Sequence, residues 1–416
     1  MKLSKAQVQH SVHAIPTLQF ENKQLTSFAG AVLLLPLFQG LGLRKRLAST
    51  FREGISGSYG LDCVFYLLVT QLMLGLTNLR DCDAFRHDPL LQRVLGLWQL
   101  PDVSTISRTL TQASSSMVDA VRSLVRNLVL ERLTLSGLVR VTLDFDGSVF
   151  STKRKAEGSA VGFNKAHKGQ RSYYPLFCTI SQLGMLFDFH HRSGNVHDSN
   201  GAESFIRECV SRVRAALNAA TTLEVRMDSA FFQEQLLDAL AELGVEFSAS
   251  VPFERFPKLK ALVLATVNWQ RINQQWSFCE ISWRPDCWAT SRSYRIILYR
   301  QESLVQRRGP LQLDLFEPRD TQYEYKVVVT NKTLQAAALL VFHNGRGTQE
   351  ATFGQAKNSV GLEYIPSRSL VANQLFCAAA VLAHNLGREL AWQTSVKQPE
   401  TTANRAPSAP LRTLES

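Results

Sequence analysis

Over the first 135 or so residues apolar positions recur at helical spacing, with almost no strand-like alternation. The most apolar stretches there, FAGAVLLLPLF at 28–38 and LDCVFYLLVTQLMLGL at 61–76, fall short of the ~20 residues that span a bilayer and read as buried helices. WQLPDVSTISRTLTQASSSMVDAV has Pro101 as a breaker and Ser104 as the expected N-cap. The helix after it sets Ile106, Leu110 and Met117 on one side and Ser107, Arg108, Thr111 and Gln112 on the other. Such a polar-faced helix after a turn fits the second helix of a helix-turn-helix, and equally an ordinary amphipathic helix.

At residue 138 the texture changes. LVRVTLDFDGSVFS alternates and is β-branched, so it predicts a strand; SYYPLFCTISQ and GMLFDFHHRSG predict two more, meeting at a turn near Leu183 and Gly184. GAESFIRECVSRVRAAL reads as a helix, TTLEVRMDS as a strand, FFQEQLLDALAEL as a helix and VEFSASVPF as a strand. Three strands followed by αβαβ is the order of a ribonuclease H-like sheet, so the expected class is α/β. From 252 to 330 the chain turns aromatic, basic and β-rich, with four of the six tryptophans (Trp269, Trp276, Trp283, Trp288). Three helical patterns then close the chain: TLQAAALLVF, HNGRGTQEATFGQAK and LVANQLFCAAAVLAHNLGREL.

Charge narrows the partner. The 416 residues carry a formal net charge of +11, which indicates a polyanion, most commonly nucleic acid. The expected division is a helical DNA-binding region at 1–135, a ribonuclease H-like core at 136–251 resuming at 331–393, a β-rich insertion at 252–330, and a disordered tail at 394–416. Seven cysteines without a CxxC pair argue against a disulfide framework or a zinc ribbon and for a reducing cytoplasm. The N-terminus has no apolar core of the kind a signal peptide needs.

Asp144 and Asp146 alternate on the first strand and so point to one side, with Asp146 at its end in Asp-Gly-Ser. Asp228 ends the fourth strand in RMDSAFF. In a ribonuclease H-like sheet these strands are neighbours, so Asp146 and Asp228 would converge, and Glu350 is the candidate third carboxylate from a helix packed on them. Three carboxylates suit hard divalent ions, which take oxygen ligands, in a pair roughly 4 Å apart. Any one strand-end Asp is more often a turn residue or cap; the joint placement points to chemistry. On an ideal helix Arg346, Glu350 and Lys357 fall within about 60° of arc, with His343 at the edge of the same sector. Two basic clusters, Lys153-Arg154-Lys155 and Lys165, Lys168 and Arg171, either grip a phosphate backbone or form a solvated face. His190, His191 and His197 do not read as a metal set, because adjacent residues on a strand face opposite ways. There is no phosphate loop and no Gly-x-Ser-x-Gly elbow.

The order LDFDGS, RMDSAFF, an insertion, then His343-x2-Arg346-x3-Glu350-x6-Lys357 resembles the DDE transposases of bacterial insertion sequences. More narrowly it resembles the cut-and-paste superfamily with a Tyr-x2-Arg-x3-Glu-x6-Lys signature, and VGFNKAHKGQRSYYPLFC with HHRSGNVHDSNGA resembles its branch numbered thirteen-eighty. The resemblance runs from about residue 60 to 392. It implies that Asp146, Asp228 and Glu350 are catalytic ligands of Mg²⁺, with Mn²⁺ able to substitute, and that Arg346 and Lys357 hold DNA phosphates. His343 stands where the family has Tyr, which keeps a ring and a hydrogen bond but makes its charge depend on pH. Lys165, Lys168, Arg171 and, in the N-terminal helices, Arg108 complete the expected DNA-binding set. Trp283 or Trp288 is the expected platform for a flipped base, although tryptophans in a β-rich subdomain are more often core. The implied activity is phosphoryl transfer: cleavage at terminal inverted repeats, then attack of the 3'-hydroxyl on target DNA. A homodimer pairing two DNA ends would do this in the bacterial cytoplasm, at the nucleoid and away from any membrane. The competing readings are a non-catalytic, sequence-specific DNA-binding protein derived from a transposase, and a ribonuclease H-like nuclease without strand transfer.

Overall fold

The computed structural model describes residues 26–52, 59–162, 164–196, 201–289, 292–304 and 321–396. The expected tail lies mostly outside them, as does His197. Helices α1 (Leu34–Gly40), α2 (Leu43–Thr50), α3 (Leu61–Met73), α4 (Pro89–Leu95), α5 (Val103–Thr111) and α6 (Ser115–Leu135) come first. The cap of α5 is Asp102 rather than Ser104: its carboxylate accepts from Thr105 N at 2.7 Å, and Ser104, inside the helix, donates its hydroxyl to the same group. Ile106 and Leu110 are buried and Arg108, Thr111 and Gln112 exposed, while Met117 belongs to the next helix.

Strands β1 (Arg140–Gly147), β2 (Phe150–Thr152), β3 (Ala160–Val161), β4 (Arg171–Tyr173), β5 (Leu176–Ile180) and β6 (Met185–His190) follow. Then come α7 (Ala202–Ala216), β7 (Thr222–Met227), α8 (Glu234–Glu242), β8 (Glu246–Ser250), α9 (Pro257–Ala265), β9 (Gln270–Arg271), β10 (Trp276–Ile281), β11 (Arg295–Leu304) and β12 (Thr321–Thr330). Helices α10 (Ala336–Asn344), α11 (Gly347–Val360) and α12 (Leu370–Val396) end the described chain. Among the described residues nine strands form one mixed sheet in the order β6-β5-β1-β7-β8-β12-β11-β10-β9. β1 runs antiparallel to β5 and parallel to β7, which is parallel to β8. The expected meander and αβαβ run are thus both present. β12 pairs with β8 in the register Val328↔Ser250, so the strands read as an insertion extend the central sheet.

Period-two alternation gives the middle of this sheet two unlike faces. Val141, Leu143 and Phe145 of β1 and Leu223, Val225 and Met227 of β7 join an apolar cluster with Cys209, Val210 and Val213 of α7 and Leu236 and Leu240 of α8. On the opposite face Thr142, Asp144, Glu224 and Arg226 are also buried, and each is matched. Arg226 grips Asp144 with two bonds of 2.6 and 2.8 Å. Lys332, 1% exposed, reaches Glu224 at 2.6 Å and also pairs with Glu246, while Arg140 joins Glu224 at 2.6 Å.

The edge strand β6 is covered rather than left open. Arg122 and Arg126 of α6 both bind Asp188, at 2.9 and 2.7 Å, and Asn385 of α12 exchanges two bonds with the backbone of Leu186. Leu375, Phe376 and Val381 of α12 share one apolar cluster with Phe65, Leu68 and Leu72 of α3. The stretch Leu370–Thr394 is long and apolar enough to cross a bilayer, yet most of its apolar part is buried inside the protein. It therefore serves here as the core helix that joins the N-terminal helices to the sheet.

At the C-terminal end of α10, His343 is 3% exposed, with Nδ1 3.0 Å from Ser248 Oγ and Nε2 2.9 Å from Ser250 Oγ, both on β8. Burial, with the cations Lys326, Arg346 and Arg226 adding, depresses its pKa to about 3.

Two stability predictions follow from these buried groups. Lys332→Met takes from Glu224 its buried cation, leaving it Thr142 and the half-exposed Arg140, and should cost about 3 kcal/mol in denaturant unfolding. By contrast Lys258→Ala, which breaks an exposed pair with Asp286, should leave the midpoint in place; equal midpoints for both variants would refute the contrast. For His343 the unfolded chain takes up a proton near pH 6.5 while the folded ring resists until about pH 3, so the stability it contributes is complete above 6.5 and is lost as pH falls. By pH 5 the parent should lose about 2 kcal/mol more than His343→Gln relative to pH 7, read from unfolding curves at the two pH values.

Candidate active site

Phe145 and Met227 are the last residues that pair β1 with β7, and the next residue along each chain segment is an aspartate. Asp146 and Asp228 therefore lie side by side at the C-terminal edge of two parallel strands, where the backbone opens. Asp228 caps the short turn Ser229–Phe231, accepting from Ala230 N at 2.9 Å. Asp146 Oδ1 accepts from Gly147 N at 2.8 Å, and its Oδ2 is 3.3 Å from Arg346 Nη1. Glu350 stands in the first turn of α11, its side chain 68% exposed and 3.9 Å from Arg346 Nη2. Burial pushes Asp146 up to about 7; Arg346 opposes the rise, and the negative charges of Asp228 and Glu350 add to it.

Among the described residues no three His, Cys, Asp or Glu side chains close around one point, so the acids are not a preformed metal cage. Their chemistry nevertheless fits a hard divalent cation. The donors are all carboxylate oxygens, and Asp146 and Glu350 both lie within 4 Å of the same guanidinium, that of Arg346, on the side where a cation would sit.

Two clefts flank the acids. One, of about 860 Å³, is lined by Gly147, Lys153, Arg154, Lys165, Tyr174 and Lys357, with Thr77 and Asn78 of the helical region on its far wall. The other, of about 410 Å³, is lined by Arg346 and Glu350 together with Trp276, Tyr325 and Lys326. The expected DNA-binding residues separate on this map. Lys165 and Lys357 line the first cleft, Lys357 also lying 3.0 Å from Glu363. Lys168 is exposed, and Arg171 turns its guanidinium onto the hydroxyl and carbonyl of Ser159. Arg108 is exposed on α5 and lines neither cleft.

Three expectations change. His343 is not on the same helix as Glu350: α10 ends at Asn344, α11 starts at Gly347, and Arg346 occupies the N-cap between them. Nor does its ring offer a nitrogen to a phosphate, since both nitrogens are held by the β8 serines. Trp283 and Trp288 pack with Phe232, at ring distances of 6.5 and 4.8 Å, and Trp283 also meets Phe256 edge-on at 5.2 Å. The tryptophan sharing a cleft with Glu350 is Trp276, whose ring lies 6.0 Å from Lys326 Nζ. No sequence cue separated Trp276 from its three neighbours; the pairing of β10, β11 and β12 places it there.

None of the curated proteins compared with this chain matches it. Among solved structures, a cryo-EM structure of the piggyBac transposase synaptic complex with hairpin DNA is similar at 11% identity and a TM-score of 0.45, covering 90% of this chain and 77% of that one. A model of the family described as transposase DDE domain group 1 matches residues 10–413, nearly the whole sequence and including all three acids. The chain belongs to this family of DDE transposases.

Proposed function

We propose that this protein cuts DNA at the terminal inverted repeats of a mobile element and joins the freed 3'-hydroxyl ends to target DNA, in a cut-and-paste reaction carried out by a pair of copies on two element ends. The observation that carries this reading is the placement of Asp146 and Asp228 side by side at the strand ends, with Glu350 close enough for both to raise the proton affinity of Asp146. We read 343–357 as a form of the Tyr-x2-Arg-x3-Glu-x6-Lys signature in which the first residue has become a buried structural histidine.

Asp146, Asp228 and Glu350 would hold Mg²⁺, or Mn²⁺ in its place, which when bound supplies positive charge to phosphate oxygens and lowers the pKa of a water. The protein's own residues provide the frame. Arg346, part-exposed between Asp146 and Glu350, can turn its fork of donors to an incoming phosphate. Lys165, Lys153, Arg154 and Lys357 give the larger cleft a basic lining on the Asp146 side, suited to a DNA backbone. Lys326 and Arg346 do the same for the smaller cleft on the Glu350 side.

With Mg²⁺ or Mn²⁺ and a duplex carrying the element's terminal repeats, Asp146→Asn, Asp228→Asn and Glu350→Gln should each slow cleavage by about 10²-fold or more while binding is kept. Variants that cut as the parent does would sink the assignment, and nicked but unjoined products would restrict the activity to a nuclease. In binding assays across a salt series, Lys165→Ala and Lys357→Ala should each flatten the log–log slope by up to ~0.9, one released phosphate contact apiece. Slopes equal to that of the parent would place the DNA outside the larger cleft.

A further inference from the structure

The two glycines that interrupt the start of HNGRGTQEATFGQAK are not equivalent. Gly347 has open space around it, whereas a Cβ on Gly345 would overlap Arg226 Nη1 and stand 3.1 Å from Phe342 O. Gly345 has an ordinary right-handed helical backbone, φ −56°, so close approach and not conformation demands the glycine. The arginine filling that space is fixed on several sides. Its Nε and Nη2 hold the Asp144 carboxylate, Nη2 also reaches Ser181 Oγ at 2.6 Å, and Nη1 donates to Phe342 O at 2.9 Å. Beyond Arg346, Gln349 is 1% exposed and donates from Nε2 to Asp144 O at 3.0 Å and Thr179 Oγ1 at 3.2 Å. Its Oε1 is buried with no hydrogen-bond partner among the described residues.

The segment 342–349 is thus tied at both ends to one residue of β1: through the side chain of Asp144 by way of Arg226, and through the Asp144 carbonyl by way of Gln349. Asp146 is two residues further along that strand, and Glu350 directly follows Gln349. Glu350 cannot be placed by its own carboxylate, which is mostly exposed and has one ion-pair contact, at 3.9 Å, among the described residues. Its location relative to Asp146 has to come from the backbone that carries it. We infer that Arg226, Gly345 and Gln349 form a positioning clamp that sets Glu350 against Asp146 for the reaction. This inference rests on the functional reading above. The unpartnered Oε1 supports it: a residue kept only for stability would not bury an unused acceptor, whereas one kept for its donor would.

The test uses the full-length protein with Gln349→Met and Gly345→Ala. Four quantities are measured for each: cleavage rate at saturating DNA, DNA affinity, Mn²⁺ affinity by paramagnetic resonance, and thermal midpoint. Because a misplacement of about 1 Å costs about 10²-fold in rate, both single variants should lose turnover on that scale, with DNA affinity within about twofold and Mn²⁺ bound more weakly. Gln349→Met should keep its thermal midpoint to within a few degrees, since losing the orphaned acceptor offsets losing the donor. Folded single variants that cleave and bind Mn²⁺ as the parent does would overturn the clamp alone. So would turnover losses that only follow the thermal midpoint. A parent that neither cleaves nor binds Mn²⁺ would overturn the functional reading, and the clamp with it.

Discussion

Asp144 and Arg226 face each other across β1 and β7 almost out of reach of water, and in that setting either would be costly without the other. The pair belongs to a row of buried polar side chains that includes Thr142, Glu224 and Lys332, with the half-exposed Arg140 at its edge, on one face of a sheet whose opposite face carries an apolar cluster. A face of this kind can be covered only by elements that present matching charges or backbone acceptors. That requirement selects α10, whose Phe342 carbonyl accepts from Arg226, and α11, whose Gln349 meets the carbonyl of Asp144. The helix carrying Glu350 is therefore held above Asp146 by polar specificity; the apolar core fixes the sheet on which both depend.

Local pattern reveals the part of this arrangement that is periodic. The alternation in VTLDFDG and LEVRMD is strong enough to give two strands, their relative order and the convergence of Asp146 with Asp228. The spacing of Arg346, Glu350 and Lys357 likewise marks one helical face. What the sequence hides is which polar partner each residue takes. Asp144 and Asp146 look alike in LDFDG, yet one lies opposite Arg226 and is neutralised while the other lies one step beyond the pairing of β1 with β7 and is not. The difference depends on a register set by another strand.

His343 and the tryptophans show the same limit. An ideal helix through 343–357 would put His343 beside Glu350. The close approach of Arg226 at Gly345 divides the segment instead, and the ring turns to the serines of β8. Those serines are available because β12 pairs with β8 on the far side of the ladder, the same pairing that carries Trp276 and Lys326 into the cleft with Glu350. Aromatic and basic content marked 252–330 as unusual, but only the sheet extension decides which of its rings faces the acids.

The two kinds of carboxylate in this site follow from one electrostatic rule. Where the polar face is covered, each acid acquires a cation at hydrogen-bonding distance, as Asp144 and Glu224 do. At the strand ends the covering stops, and Asp146 and Glu350 share the guanidinium of Arg346, at 3.3 and 3.9 Å, with the charge of Asp228 adding to the repulsion on Asp146. Burial without a full partner raises the proton affinity of Asp146 and leaves the site short of positive charge. The same arrangement that neutralises the sheet's interior thus concentrates an unbalanced negative charge at its edge, between two basic clefts. A divalent ion and a phosphate could meet there with both charges answered.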